Sequence, residues 1–216
     1  MKTLITTIIA LSLGITTAWA QHTATSVLHN MPNELLPYIN DNQMDEIGKF
    51  TIDNDTVKIK NELNGTSTVT TINDDFAKVD LNESSLMLIK LLPVNDSTQI
   101  VCLVRTVKTP VPESDVNFYT TSWKKINSRF NLPDTHDDEA MVDAMTQRPD
   151  GMSEVRFNEL RDYLEPVIIS ADIPEGGNTI VFTMSVPLTT EKERNDVKAI
   201  LKQKTFKWNG TTFKMY

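Results

Sequence analysis

Few residues in this chain are of the types that usually carry chemistry. Three histidines, His22, His29 and His136, and one cysteine, Cys102, are spread over 216 residues. A serine–histidine–carboxylate relay needs a positioned base. His22 and His29 fall near the start of the mature chain, where order is usually poor, so His136 is the one candidate. It stands in Asp134-Thr135-His136-Asp137-Asp138-Glu139, where no single carboxylate is marked out to orient it. The same stretch is the sharpest reading for calcium or another divalent ion. It lacks the glycine and distal glutamate of the calcium-loop pattern, so a solvated acidic loop is favoured. Asp53-Asn54-Asp55 fails the same test and reads as a polar turn before a strand. The phosphate loop, the H-E-x-x-H zinc helix, the G-x-S-x-G elbow and the dinucleotide fingerprint are all absent from the sequence. Carboxylates are plentiful, but no spacing separates a glycosidase pair from surface acids. Tyr119, Trp123, Trp208 and Phe213 could stack on sugar rings, although aromatic residues in strands are more often core. Cys102 lies in Ile100-Val101-Cys102-Leu103-Val104 and is expected to be a small buried hydrophobe. No catalytic residue, metal ligand set or cofactor is assigned.

The first twenty residues read as a removable address. Lys2 supplies a positive start and Leu4 to Ile15 an apolar stretch too short for a stable membrane anchor. Ala18-Trp19-Ala20 is an A-x-A cleavage site that would leave Gln21 as the first mature residue. No cysteine follows it to take a lipid, and no later apolar stretch approaches the length of a membrane span. The expected destination is the periplasm, the cell surface or the medium. Full-length net charge is −8, and losing Lys2 makes it one unit more negative. Nucleic acid, a polyanion, is therefore an unsuitable partner. With 23% charged and 39% hydrophobic residues, the chain has the composition of a globular domain and not of a disordered tail. One cysteine excludes a disulfide framework within the chain.

The elements that must position these groups are mainly hairpins. Asn64-Gly65 between Thr56–Leu63 and Thr66–Ile72 predicts a two-residue turn. Leu63 would pair with Thr66, placing Val57 opposite Ile72 and Ile59 opposite Thr70. Gly176-Gly177 joins Val167–Ile173 to Asn178–Val186. Pairing Glu175 with Asn178 sets Ala171 against Phe182, Ile169 against Met184 and Val167 against Val186, a wholly apolar face. Pro174 belongs at the turn end or an open edge. Asn209-Gly210 joins Thr205–Trp208 to Thr211–Tyr216, with Phe206 facing Phe213. Further strands are expected at Phe76–Asp80, Ser85–Leu92, Thr98–Val107 and Val116–Ser122, with Leu86–Leu92 and Ile100–Val104 apolar enough for burial on both faces.

Helices are expected at Asn33–Ile39 and Asp41–Phe50, with Leu36, Ile39, Ile47 and Phe50 inward and Asn40 and Gln43 forming a weak capping box. Two more are expected at Ser153–Glu165 and Glu191–Lys204. Thr190 with Glu193 caps the last, whose stripe is Val197, Ile200 and Leu201. The class is α+β: antiparallel β-meander and hairpins with a few helices packed on the sheet faces. Residues 21–216 form one domain; the alternative is sub-domains 21–126 and 153–216 joined by the acidic connector 127–152, which would hold a short helix near Glu139–Met145 or be mobile.

Several segments carry a family resemblance. They are Asn30-Met31-Pro32-Asn33-Glu34-Leu35-Leu36-Pro37, Lys90-Leu91-Leu92-Pro93-Val94-Asn95-Asp96-Ser97-Thr98-Gln99-Ile100, Val116-Asn117-Phe118-Tyr119-Thr120-Thr121-Ser122-Trp123 and Phe206-Lys207-Trp208-Asn209-Gly210. Together they resemble the secreted Bacteroidales family catalogued as domain of unknown function 3256, over nearly the whole mature chain. The resemblance implies a Gram-negative host and an exported single α+β domain, and it brings no catalytic residue. Asp55-Thr56-Val57 and Asp96-Ser97-Thr98 also resemble the short O-glycosylation acceptor pattern of gut Bacteroidetes, with Thr56 and Ser97 as acceptors. The expected role is binding, in the cell envelope, of an envelope protein or glycan without catalysis. A carboxylate-dependent hydrolase and a lectin-like module are the alternatives.

Overall fold

The computed structural model describes residues 22–36, 38–49, 56–186 and 190–216. Ala18, Ala20, Gln21, Pro37, Phe50 and Asp53-Asn54-Asp55 lie outside the described residues. Among those described, eleven strands form two antiparallel sheets and five helices pack on them.

Seven strands follow one another as a meander: β1 (Val57–Lys60), β2 (Thr66–Ile72), β3 (Phe76–Asn82), β4 (Ser85–Pro93), β5 (Gln99–Val107), β6 (Glu113–Thr120) and β7 (Lys125–Ile126). β4 and β5 at its centre are buried along most of their length, as continuous apolar runs require. One face packs Val57, Val79, Ile89 and Leu103 against Val27, Leu28 and Ile47 of α1 (Ala24–His29) and α2 (Asp41–Lys49). The other face packs Leu88, Cys102 and Phe118 against the second sheet. That sheet has the order β11-β10-β9-β8, from β8 (Ile168–Asp172), β9 (Thr179–Ser185), β10 (Lys204–Trp208) and β11 (Phe213–Met215). α3 (Asp138–Met145), α4 (Glu154–Asp162) and α5 (Glu191–Lys198) contribute Met141, Met145, Leu160 and Val197 to the same cluster. The 127–152 segment is thus anchored in this core through Leu132, Met141 and Met145, and its short helix stands where expected.

The Gly176-Gly177 hairpin has the expected register: Ala171 faces Phe182 and Ile169 faces Met184. Gly176 takes φ +81, which a side chain would resist. The other two hairpins differ from expectation, and each difference traces to an asparagine side chain in its own loop. Val57 pairs with Val69 and Ile59 with Ser67, three residues from the expected partners. An odd slip exchanges the faces of a strand, so Ser67 and Val69 are the buried residues of β2, not Thr70 and Ile72. The turn is a longer loop because buried Asn61 accepts the backbone N–H groups of Leu63 and Gly65 through Oδ1. Its Nδ2 donates to Ser67 Oγ and Leu81 O. At the third hairpin Trp208, not Phe206, faces Phe213. Asn209 Oδ1 accepts from Thr211 and Thr212 N, which adds two residues to the loop. This slip is even, so Phe206, Trp208 and Phe213 stay in the core.

Asn61→Ala is expected to lower stability by about 2–3 kcal/mol, since it strands two backbone donors and removes a donor to buried acceptors. Urea unfolding of the variant checks this; a midpoint equal to the parent's would show that the loop re-satisfies itself.

The helices also depart in places. In place of a helix over Asn33–Ile39, residues 33–35 and 38 form turns, closed by Leu35 N to Pro32 O and Leu36 N to Asn33 O. The helix that precedes them is α1 instead, capped reciprocally by Thr23 and Ser26. The Asn40–Gln43 box forms: Asn40 N donates to Gln43 Oε1 at 2.8 Å and Gln43 N to Asn40 Oδ1 at 3.0 Å. α4 ends at Asp162, short of the expected Glu165. α5 begins at its Thr190–Glu193 box but stops at Lys198, not Lys204. The chain turns there so that Leu201 can bridge to Thr146 and Lys204 can start β10.

Cys102 is buried in β5, and loss of hydration pushes its thiol up to about 12. The thiolate is the reactive form. Native protein at pH 8 is therefore expected to resist a thiol reagent that labels it within minutes in denaturant; fast native labelling would show that β5 opens.

Candidate functional site

At the end of the meander where the β3–β4 and β5–β6 loops lie, the sheet leaves an open cleft of about 330 Å³. Its walls include Leu81 of β3, Leu86 of β4, Arg105 and Val107 of β5, Glu113 and Asp115 of β6, Leu35 and Tyr38 from the turns before α2, and His136. The two loops are tied together by Lys108 N to Ser84 O, and an ion pair of 2.7 Å joins Lys108 Nζ to Asp80 of β3. Ser114 also lines it, its Oγ 2.8 Å from Thr106 Oγ1 and accepting from Ala171 N at 2.9 Å. That bridge fastens β6 to the second sheet.

Arg105 is the unusual group. Its Nε and Nη2 are buried and have no hydrogen-bond partner. A guanidinium is permanently charged, and buried donors left unpaired are costly, so such groups are rare without a purpose. Asp115 is its cross-strand partner, yet the Asp115 carboxylate accepts from Asn117 Nδ2 instead. On the same strand Tyr119 feels all three influences. Burial raises its phenol above the ordinary value, Arg105 opposes that, and Asp115 adds to it.

The residues singled out by type are mostly occupied elsewhere. His22 is exposed and donates through its backbone N to Gln99. His29 Nε2 lies 2.8 Å from Asp45 Oδ1 on the surface. In the acidic segment Asp134 pairs with Arg129 at 2.7 Å and accepts from His136 N, and Asp137 caps α3. Asp138 and Glu139 occupy the first turn of α3, where the helix dipole favours carboxylates. Among the described residues no group of three or more His, Cys, Asp or Glu side chains is placed to hold a metal ion. Tyr119, Trp123, Trp208 and Phe213 are all buried. The two indoles donate inward, Trp123 to Val27 O at 2.9 Å and Trp208 to Pro93 O at 2.7 Å. They form no exposed platform for a sugar ring. Thr56 and Ser97 are exposed. Of these residues only His136 reaches the cleft; Arg105 is a lone cation in the expected strand Thr98–Val107, and Glu113 and Asp115 precede the expected strand Val116–Ser122 but belong to β6, so none of the three carried a sequence signal.

No helix among the described residues is long and apolar enough to cross a membrane. A family model described as a protein of unknown function (DUF3256) matches residues 16–213. A solved structure described as a domain of an uncharacterized protein from Porphyromonas gingivalis W83 is similar at TM-score 0.71 and 22% identity. The match covers 88% of this chain and 97% of that one. At that identity the likeness concerns the fold. Comparison with curated proteins finds no match.

Proposed function

Since the chain belongs to the DUF3256 family, described only as proteins of unknown function, we propose that it is an exported, non-catalytic binding protein of the cell envelope that holds a small ligand in the Arg105 cleft. The observation that carries this reading is the pair of buried, unpartnered donors of Arg105 in a concave site walled by Leu35, Leu81 and Leu86. An apolar hollow with a few placed polar groups is the usual form of a small-molecule site. Export is supported by Lys2, the apolar stretch after it and the Ala18–Ala20 cleavage site. Intact mass of protein recovered from the native envelope should start at Gln21; a cytosolic product retaining Met1 would refute export. Binding is tested by a thermal-shift screen of small metabolites and glycans on purified protein. At least one compound should raise the transition temperature, and Val107→Trp, which narrows the cleft beside Arg105 from an exposed position, should abolish the shift. A screen without a single hit would reject the cleft as a ligand site.

A hydrolase is the second reading, favoured by His136 lining the same cleft as Glu113 and Asp115. It requires turnover in a hydrolase panel that disappears in His136→Ala. Recovery of an envelope protein or glycan that binds equally well to Val107→Trp would instead move the binding surface away from the cleft.

A further inference from the structure

We propose that the Arg105 cleft recognises a free apolar α-amino acid, its carboxylate held by Arg105 and its ammonium by Asp115 and Glu113. This rests on the cleft being a ligand site, and four observations select the ligand class.

The unpartnered atoms of Arg105 are Nε and Nη2. These two N–H groups lie on one edge of the guanidinium and point the same way, the geometry that takes both oxygens of a planar carboxylate; both are closed to solvent in the free protein, so the ligand reaches them by displacing the side chains that cover them. A sugar hydroxyl is a neutral acceptor and bonds a guanidinium more weakly than a carboxylate does.

The cleft also carries opposite charge. Asp115 is directly across from Arg105 in the β5–β6 register, and Glu113 lines the same cleft. Cross-strand neighbours on one face stand about 5 Å apart. A phosphate or dicarboxylate bound at Arg105 would face two like charges. An α-amino acid places its ammonium one carbon from its carboxylate and meets both signs at that spacing.

The apolar part of the remaining wall is Leu35, Leu81, Leu86 and Val107, beside the polar groups of Tyr38, Ser85, Thr106, Ser114 and His136. The four apolar residues suit a hydrocarbon side chain. Finally, about 330 Å³ is at the small end of ligand cavities, which fits a single amino acid better than an oligomer.

The experiment is a titration of ¹⁵N-labelled protein with leucine, leucinamide, N-acetylleucine, inorganic phosphate and glucose, read by amide shifts and by calorimetry. Leucine should shift amides of Leu35, Tyr38, Arg105 and Asp115. Leucinamide, lacking the carboxylate, and N-acetylleucine, lacking the ammonium, should each bind at least about ten-fold more weakly, the loss of one charge-assisted contact. Arg105→Gln should lose leucine binding. Because leucinamide makes the same test on the parent chain, misfolding of the variant would not mask the answer. Leucinamide or N-acetylleucine binding as tightly as leucine overturns the assignment. So does leucine leaving the cleft amides unmoved. If phosphate or glucose shifts those amides in its place, the cleft remains a ligand site and only the amino-acid assignment falls; if nothing in the wider metabolite screen binds, the site itself falls.

Discussion

Arg105→Leu should unfold at higher denaturant than the parent, with a gain of about 1–3 kcal/mol, and should bind no ligand in the cleft. Nε and Nη2 of Arg105 are buried without partners, so folding strips them of water and returns nothing. A leucine there faces Met87 across the strand pair, on the side of the sheet that holds Leu81, and leaves no stranded donor. Asp115 keeps its contact with Asn117, so the substitution breaks no existing bond. Stability gained together with binding lost is the signature of a residue kept for a task and not for the fold. The measurement is urea unfolding with a common slope for both proteins. A lower midpoint for Arg105→Leu would mean that the guanidinium is satisfied in solution, and the reading of the cleft would lose its main support.

Asp75→Ala should behave in the opposite way. Lys90 stands in the middle of the apolar run of β4 and is 1% exposed. Its ammonium lies 2.7 Å from Asp75 Oδ2. Removing the carboxylate leaves a buried charge without a counter-ion, at a cost of about 3 kcal/mol. That is the low end for buried pairs, because the Asp75 side chain is 47% exposed and water can take part of its place. Lys90→Met removes the charge and keeps the volume, so it should be neutral or stabilising. Comparison of the two variants separates the cost of an orphaned charge from the worth of the pair. Equal destabilisation by both would mean that Lys90 matters through its packed stem alone.

The legibility of the hairpins follows the same physics. Ile169, Ala171, Phe182 and Met184 are apolar on both strands, so a slip of one residue would expose them all, and the register around Gly176-Gly177 was readable. β2 has the run Thr66-Ser67-Thr68-Val69-Thr70-Thr71-Ile72, whose faces differ little in polarity. Its register was left to the loop, and the loop to Asn61, whose side chain caps backbone groups on its own strand end while reaching Leu81 of β3. That last contact is not local, so Asn64-Gly65 alone suggested a shorter turn. α1 was missed because Ala24, Val27 and Leu28 make only one turn and a half of pattern; burial against the meander stabilises a six-residue helix that would be marginal alone.

What neighbours along the chain could specify, the sequence by itself determined: α+β class, the run of antiparallel strands, the burial of Cys102, the capping boxes at Asn40 and Thr190, and membership suggested by segments from Asn30 to Gly210. Periodicity and turn chemistry act over a few residues, and so they can be read in order. The tertiary structure decided which face of β2 is buried, that the 127–152 segment enters the core, and that Leu35, Arg105, Asp115 and His136 share one cleft. Those outcomes depend on which strand ends meet in space, and on whether a charged side chain brought there finds a partner.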